Sequence, residues 1–180
     1  GGAACISVLT EKDYFNGSNE DLLEAKNSIN LPLLRKDFML DPIQIYESKM
    51  LGADCVLLIV SALSQSTYKQ LFELASKLDL DVLTEVHDIY ELDFALSQNA
   101  KLIGINNRNL KSFDVDINTS IDLARTINDN DIVLVSESGI SSSSDIITLN
   151  SSGIYTFLVG EHLIKSNNIT NELGVLINGE

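Results

Sequence analysis

Apolar runs of five to seven residues recur along the chain, over 4–10, 31–35, 54–60, 81–86, 101–106, 131–137 and 154–159, with starts 20 to 30 residues apart. Most are continuous Val/Ile/Leu stretches rather than alternating ones, as expected of strands buried on both faces of a parallel sheet. Between them the apolar positions shift to three- and four-residue spacing. That predicts helices over 21–27, 43–51, 67–78, 89–98, 119–127 and 145–149, several behind a Ser, Asp or Asn able to cap the first turn. The serines at 141–144 read as the loop that caps the helix near Asp145. Strand and helix therefore alternate throughout, with right-handed crossovers.

The last two runs end in a distinctive way. VLVSESGI (133–140) and YTFLVGEHL (155–163) each carry an apolar strand into a glycine-containing polar turn followed by a helical pattern. Strand-to-helix turns of this kind present backbone N–H groups, and in a (β/α)8 barrel the loops after the last two strands form a phosphate site with a short extra helix. Seven strands are one short of such a barrel. With the phosphate loops assigned to strands seven and eight, the expected fold is an α/β, (β/α)8 TIM barrel lacking its first βα unit in this chain, with strands 2–8 present. The chain opens at Gly1 without a methionine and enters its first strand within a few residues, so an N-terminal truncation is expected. A complete open doubly wound sheet is the alternative, and it too places ligands at the carboxyl ends of its strands.

Composition narrows the classes. With 180 residues and 44% hydrophobic content the chain can bury a core, and a single domain over 1–180 is expected. The formal net charge of −14 argues against nucleic acid and anionic membranes as partners, and an anionic substrate must then be held by a few placed cations. The longest apolar stretch, Cys55 to Val60 with Ala62 and Leu63 beyond, is far short of the ~20 residues that span a bilayer. A soluble, cytoplasmic protein is expected. Cys5 and Cys55 fall inside predicted strands with no CxxC or histidine-rich neighbours, and read as small core residues in a reducing compartment. No zinc-type cluster, Walker loop or GxGxxG occurs, so no metal is called for.

On this fold, chemistry comes from the C-terminal ends of strands. Those positions hold Glu11, Lys36 with Phe38, Ser61, Glu85, Asn106 with Arg108, Glu137 with Ser138, and Gly160 with Glu161. One lysine among several carboxylates at a barrel mouth forms an acid/base constellation in which each group sets the protonation of the others. Any single member could instead be a salt-bridged structural residue.

The motifs ISVLTEKDYFNGS (6–18), LPLLRKDFMLDPIQIYES (31–48), GADCVLLIV (52–60), LTEVHD (83–88), LIGINNRNL (102–110), VSESGI (135–140) and FLVGEHL (157–163) together resemble indole-3-glycerol phosphate synthase, a (β/α)8 enzyme of tryptophan biosynthesis. The resemblance implies a carbon-carbon lyase: ring closure, decarboxylation and dehydration of 1-(2-carboxyphenylamino)-1-deoxyribulose 5-phosphate, a phosphorylated small molecule, with no cofactor. Carried over by motif, Lys36 resembles the general acid that protonates the ketose oxygen, where charge develops as the ring attacks. Glu85 resembles the base of the dehydration step, a role a carboxylate fills when burial raises its proton affinity. Phe38 would pack on the substrate's aromatic ring. Asn106 and Arg108 resemble residues that orient hydroxyl and carboxylate groups, with an ion pair to Glu137 or another carboxylate as the plainer reading of Arg108. Glu137 would hold Lys36 or a substrate hydroxyl. Ser138, Gly139, Leu158, Gly160 and Glu161 resemble the phosphate cradle, with the Glu161 side chain turned outward and only its backbone N–H used.

The departure from the family lies at the beginning. The resemblance implies an upstream first unit whose strand ends in a Ser-Pro-Ser-Lys motif, and that unit does not appear here. Strands 4–10 and 154–159 are then expected to flank a gap, so that the chain alone is inactive and self-associates through the missing-strand edge. A non-catalytic phosphate-binding barrel fragment is the second reading. Phosphoribosylanthranilate isomerase is a weaker third, since its acid and base would be a Cys and an Asp at other strand ends.

Overall fold

The computed structural model describes residues 1–179. The described residues form two compact units, one of Ala4–Glu85 and one of Gly1–Ala3 with 86–179.

The Ala4–Glu85 unit runs β1 (Ile6–Leu9), α1 (Asn19–Ser28), β2 (Leu33–Lys36), α2 (Pro42–Met50), β3 (Cys55–Ile59), a one-turn 3-10 helix (Val60–Ala62), α3 (Gln65–Lys77) and β4 (Asp81–Val86). Its strands are parallel and pair in chain order. Leu9 stands opposite Lys36, Leu34 opposite Cys55, and Ile59 opposite Glu85. The helices start where short polar side chains satisfy free N–H groups. Ser18 accepts from Asp21 N–H, Ser64 from Thr67 N–H, and Asp41 forms a capping box with Gln44 around Pro42. Leu22, Ile45, Tyr68 and Leu71 seat the helices on the strands with no exposed surface.

The second unit runs α4 (Ile89–Ser97), β5 (Leu102–Asn106), α5 (Asn118–Ala124), β6 (Val133–Glu137), α6 (Ser143–Asn150), β7 (Thr156–Leu158), α7 (Glu161–Lys165) and α8 (Ile169–Asn178). β5, β6 and β7 are again parallel and in order, with Asn106 opposite Glu137 and Glu137 opposite Leu158. Ile121, Ala124, Ile140, Leu149 and Ile154 form a buried cluster here, flanked by Leu134, Ile146, Phe157 and Val159. Strand order does not reverse within either unit, whereas a doubly wound sheet reverses at its switch point. No helix among the described residues is long and apolar enough to cross a membrane.

Two expectations need correction. Cys5 is not a core residue of a strand. The ladder begins with Ile6 N–H donating to Pro32 O at 3.0 Å, and Cys5 lies exposed in the bend before it. The last strand covers three residues rather than 154–159, because its pairing with β6 extends only from Thr156 to Leu158. Cys55, in contrast, opens β3, and burial pushes its thiol pKa up to about 12.

Candidate active site

In the Ala4–Glu85 unit, β2 and β4 deliver Lys36 and Glu85 to their C-terminal ends with β3 between them. Lys36 Nζ donates to Glu85 Oε2 at 3.1 Å. The Glu85 side chain is 3% exposed and that of Lys36 18%, so the pair sits largely out of water but open on the lysine side.

Arg35, one residue earlier, points to the other face of β2 and ties the strand end to its neighbours. Its buried guanidinium donates to Thr10 Oγ1, Ser48 Oγ, Asn19 Oδ1 and Asp37 Oδ2, and lies 2.7 Å from Glu47 Oε2. Thr10 Oγ1 in turn donates to Asp37 Oδ2 at 2.6 Å, while Asp37 Oδ1 accepts from Phe38 N–H at 2.8 Å. The turn carrying Phe38 is thereby pinned. Phe38 meets two aromatic rings of the segment after β1: Phe15 stacked at 6.1 Å and Tyr14 edge-on at 6.3 Å. That segment is closed by Glu11, whose carboxylate accepts the N–H groups of Asp13, Tyr14 and Phe15. Desolvation pulls the Glu11 pKa up, but these backbone donors outweigh it and hold the carboxyl below its ordinary value. Gly17 ends the segment because a Cβ there would collide with the Leu9 carbonyl oxygen. Ser61 lies exposed in the 3-10 turn.

In the second unit, Asn106 ends β5. Its Oδ1 accepts from Ser138 Oγ at 2.9 Å and from Arg108 N–H at 3.0 Å. Glu137 is buried at the end of β6. Ser138 and Gly139 follow it with φ of 66° and 79°, successive residues in the left-handed region. A Cβ on Gly139 would collide with Val115 Cγ1, so glycine is required there on two grounds. Across the ladder, Leu158 leads into Gly160, which has φ −117° and open space where a side chain would be. α7 begins at Glu161, and the first turn of a helix leaves N–H groups without intrahelical partners.

Two of the predicted residues meet each other, Arg108 taking a carboxylate partner as its plainer reading had it. Arg108 pairs with Glu161, its Nη2 donating to Glu161 Oε2 at 2.7 Å. The Glu161 side chain is 60% exposed, and its other oxygen accepts from Lys165 Nζ at 2.6 Å. Lys165 first and Arg108 second hold the Glu161 carboxyl below its ordinary pKa. Lys36, Glu85 and Phe38 thus lie together in one unit, and the remaining predicted site residues lie in the other. Arg35, Asp37 and Asn107 were not among the expected site residues. Only the adjacency of Arg35 and Asp37 to Lys36 in RKDF hinted at the first two.

The sequence model of the indole-3-glycerol phosphate synthase family matches residues 1–176. The indole-3-glycerol phosphate synthase of Delftia acidovorans is 51% identical over 164 residues, covering 91% of this chain and 61% of that protein. That of Chlorobium chlorochromatii is 48% identical over 176 residues, covering 98% of this chain and 66% of that protein. The chain therefore spans somewhat less than two thirds of either relative. Among solved structures, 3-keto-L-gulonate-6-phosphate decarboxylase from Vibrio cholerae aligns over 96% of this chain and 83% of its own, with a TM-score of 0.73 and 16% identity. KGPDC from Streptococcus mutans gives the same coverage and TM-score at 11% identity. At such identities the likeness speaks for the fold alone, an α/β fold of parallel strands. The two synthases, about half identical across nearly the whole chain, and the family match from its first residue to 176 go further: the chain belongs to the indole-3-glycerol phosphate synthase family.

Proposed function

We propose that the protein from which these residues come is an indole-3-glycerol phosphate synthase, a carbon-carbon lyase acting on 1-(2-carboxyphenylamino)-1-deoxyribulose 5-phosphate in the cytoplasm. The observation that carries this reading is the Lys36–Glu85 pair at 3.1 Å, set at strand ends within the motifs RKDF and TEVHD of a chain that matches the family over 1–176. The ring carbon bearing the carboxylate attacks the ketose carbonyl, forming the new carbon-carbon bond, and Lys36 donates a proton to the oxygen. Carbon dioxide leaves with restoration of the aromatic ring. The hydroxyl so formed takes up one proton and departs as water, while Glu85 accepts the proton released from the neighbouring carbon as the double bond forms, so the elimination is proton-neutral.

Asn106 and Arg108 orient the substrate's hydroxyl and carboxylate groups, and Glu137 supports the proton transfers. Phe38 receives the aromatic ring. Ser138, Gly139, Leu158, Gly160 and Glu161 hold the phosphate through backbone N–H groups. The open space at Gly160 and the left-handed turn at Ser138 and Gly139 support that assignment. The seven strands correspond on this reading to strands 2–8 of a (β/α)8 barrel, in keeping with the greater length of the relatives.

The test is direct. The full natural chain, incubated with the carboxyphenylamino substrate, is expected to yield indole-3-glycerol phosphate, followed by its fluorescence, with one carbon dioxide released per product. Substrate consumption without carbon dioxide release, or no product at all, would sink the proposal.

A further inference from the structure

Asn107 is one residue beyond Asn106 and is 3% exposed. Its amide is used at every hydrogen-bonding position. Nδ2 donates to Ser136 Oγ at 3.0 Å and to the carbonyl oxygen of Ser138 at 2.9 Å. Oδ1 accepts from Ser120 N–H at 3.1 Å and from Ser120 Oγ at 2.8 Å. The two serine hydroxyls lie 2.8 Å apart and close the ring. An amide offers two donors and two acceptor sites, so this one is saturated. Its backbone is fixed as well, with Asn107 N–H donating to Glu137 O at 2.9 Å and Asp116 N–H donating to Asn107 O at 3.0 Å.

One of these bonds reaches a residue whose backbone needs support. Ser138 has a φ of 66°, a conformation unfavourable for a side chain larger than glycine's that persists only where the surroundings impose it. Asn107 holds its carbonyl and Asn106 holds its hydroxyl. Part-buried contacts within the chain thus hold the turn from both sides.

We propose that Asn107 is a positioning residue: by holding the Ser138 carbonyl it keeps the Ser138–Gly139 turn in the conformation that receives the substrate's phosphate, and it sets phosphate affinity without touching the ligand. This rests on the reading that the turn belongs to a phosphate cradle. Aspartate cannot replace it, because a carboxylate supplies no donor to either Ser136 or Ser138. Alanine leaves four polar groups short of a partner.

The experiment compares Asn107→Ala and Ser120→Ala with the parent in the full natural chain. It measures turnover of the phosphorylated and the dephosphorylated substrate and competitive inhibition by inorganic phosphate. For Asn107→Ala, KM for the phosphorylated substrate and Ki for phosphate rise together by about tenfold or more, the scale of one lost buried hydrogen bond, while kcat changes little. Turnover of the dephosphorylated substrate stays near the parent's. Ser120→Ala, which removes one partner and leaves Asn107 in place, gives the same signature at smaller size and decides the matter where Asn107→Ala does not fold. An unchanged Ki, or equal losses on both substrates, overturns the positioning role. A parent that neither responds to phosphate nor prefers the phosphorylated substrate overturns the cradle itself, and that outcome is visible before any variant is made.

Discussion

Lys36 Nζ and Glu85 Oε2 stand 3.1 Å apart across the end of β3, a buried carboxylate against a lysine that is open on one side. Removing one member of a buried pair leaves the other charged and poorly solvated, so stability and catalysis should respond differently to the same substitutions. In the full natural chain, on the function proposed above, Lys36→Met is expected to lower kcat by about 10²–10⁴, the usual contribution of a positioned proton donor, and to lower the melting temperature as well. Adding Glu85→Gln should recover part of the lost stability while leaving the enzyme inactive. Kinetics and thermal melts of the single and double variants check this. Near-normal turnover in Lys36→Met would reduce the lysine to an ion-pair role.

The glycines at 139 and 160 should behave as opposites. Gly160 has an ordinary backbone and empty space around it, so Gly160→Val should fold normally and lose affinity for phosphorylated ligands. Gly139→Ala meets both a φ of 79° and Val115, and should destabilise the protein by about 1–3 kcal/mol. Val115→Ala should relieve only the steric part. Circular dichroism, melting and phosphate titration separate the outcomes, and a Gly160→Val variant that binds phosphate as tightly as the parent would place the cradle elsewhere.

Asp145 gives an acid-linked prediction. Burial draws its pKa up, but donors from Ser141 and Ser142 outweigh that and hold it below the ordinary 3.8. Unfolding releases those donors. The contribution is therefore fully present above pH 3.8 and fades as pH falls through the lowered folded value. Asp145→Ala should cost about 1 kcal/mol or less at neutral pH, and should lose that difference from the parent in strong acid. Melting curves from pH 7 downward are the measurement, and a gap between variant and parent that persists in acid would contradict the linkage.

The two cysteines should label in sequence. Cys5 is exposed, while the Cys55 thiol is driven up to about 12 by burial and stays protonated at neutral pH. A thiol reagent is expected to modify Cys5 promptly and Cys55 only on unfolding. Mass spectrometry of the time course decides it, with simultaneous labelling as the contrary result.

Much of this architecture was legible because periodicity and burial agree locally. The run at Asp81–Val86 matches its strand residue for residue, as its apolar stretch is bounded by helix-ending and turn residues on both sides. Element ends were harder where pairing decides them: Ile154 looks like strand and is instead core, packed with Leu149 and Ile121. Cys5 misled for the same reason, since nothing in the sequence marks where the ladder to Pro32 begins. Among the site residues, position at strand ends was readable from the motifs, but partners were not. That Glu161 meets Arg108 across 53 positions, or that Asn107 rather than Asn106 braces the Ser138 carbonyl, depends on register and side-chain direction.

The segment after β1 has a thermodynamic corollary. Tyr14 and Phe15 reach Phe38 from a stretch that Glu11 closes with its own carboxylate and Gly17 returns tightly to Leu9. With its pKa held below the ordinary value, Glu11 stays charged and able to accept these bonds into mild acid as well as across the neutral range. The backbone that carries the rings beside Phe38 is held by hydrogen bonds within the chain, so a flat guest arriving there meets a surface that has surrendered part of its conformational entropy on folding. Binding at Phe38 should therefore show little of the unfavourable entropy that accompanies the ordering of a loop.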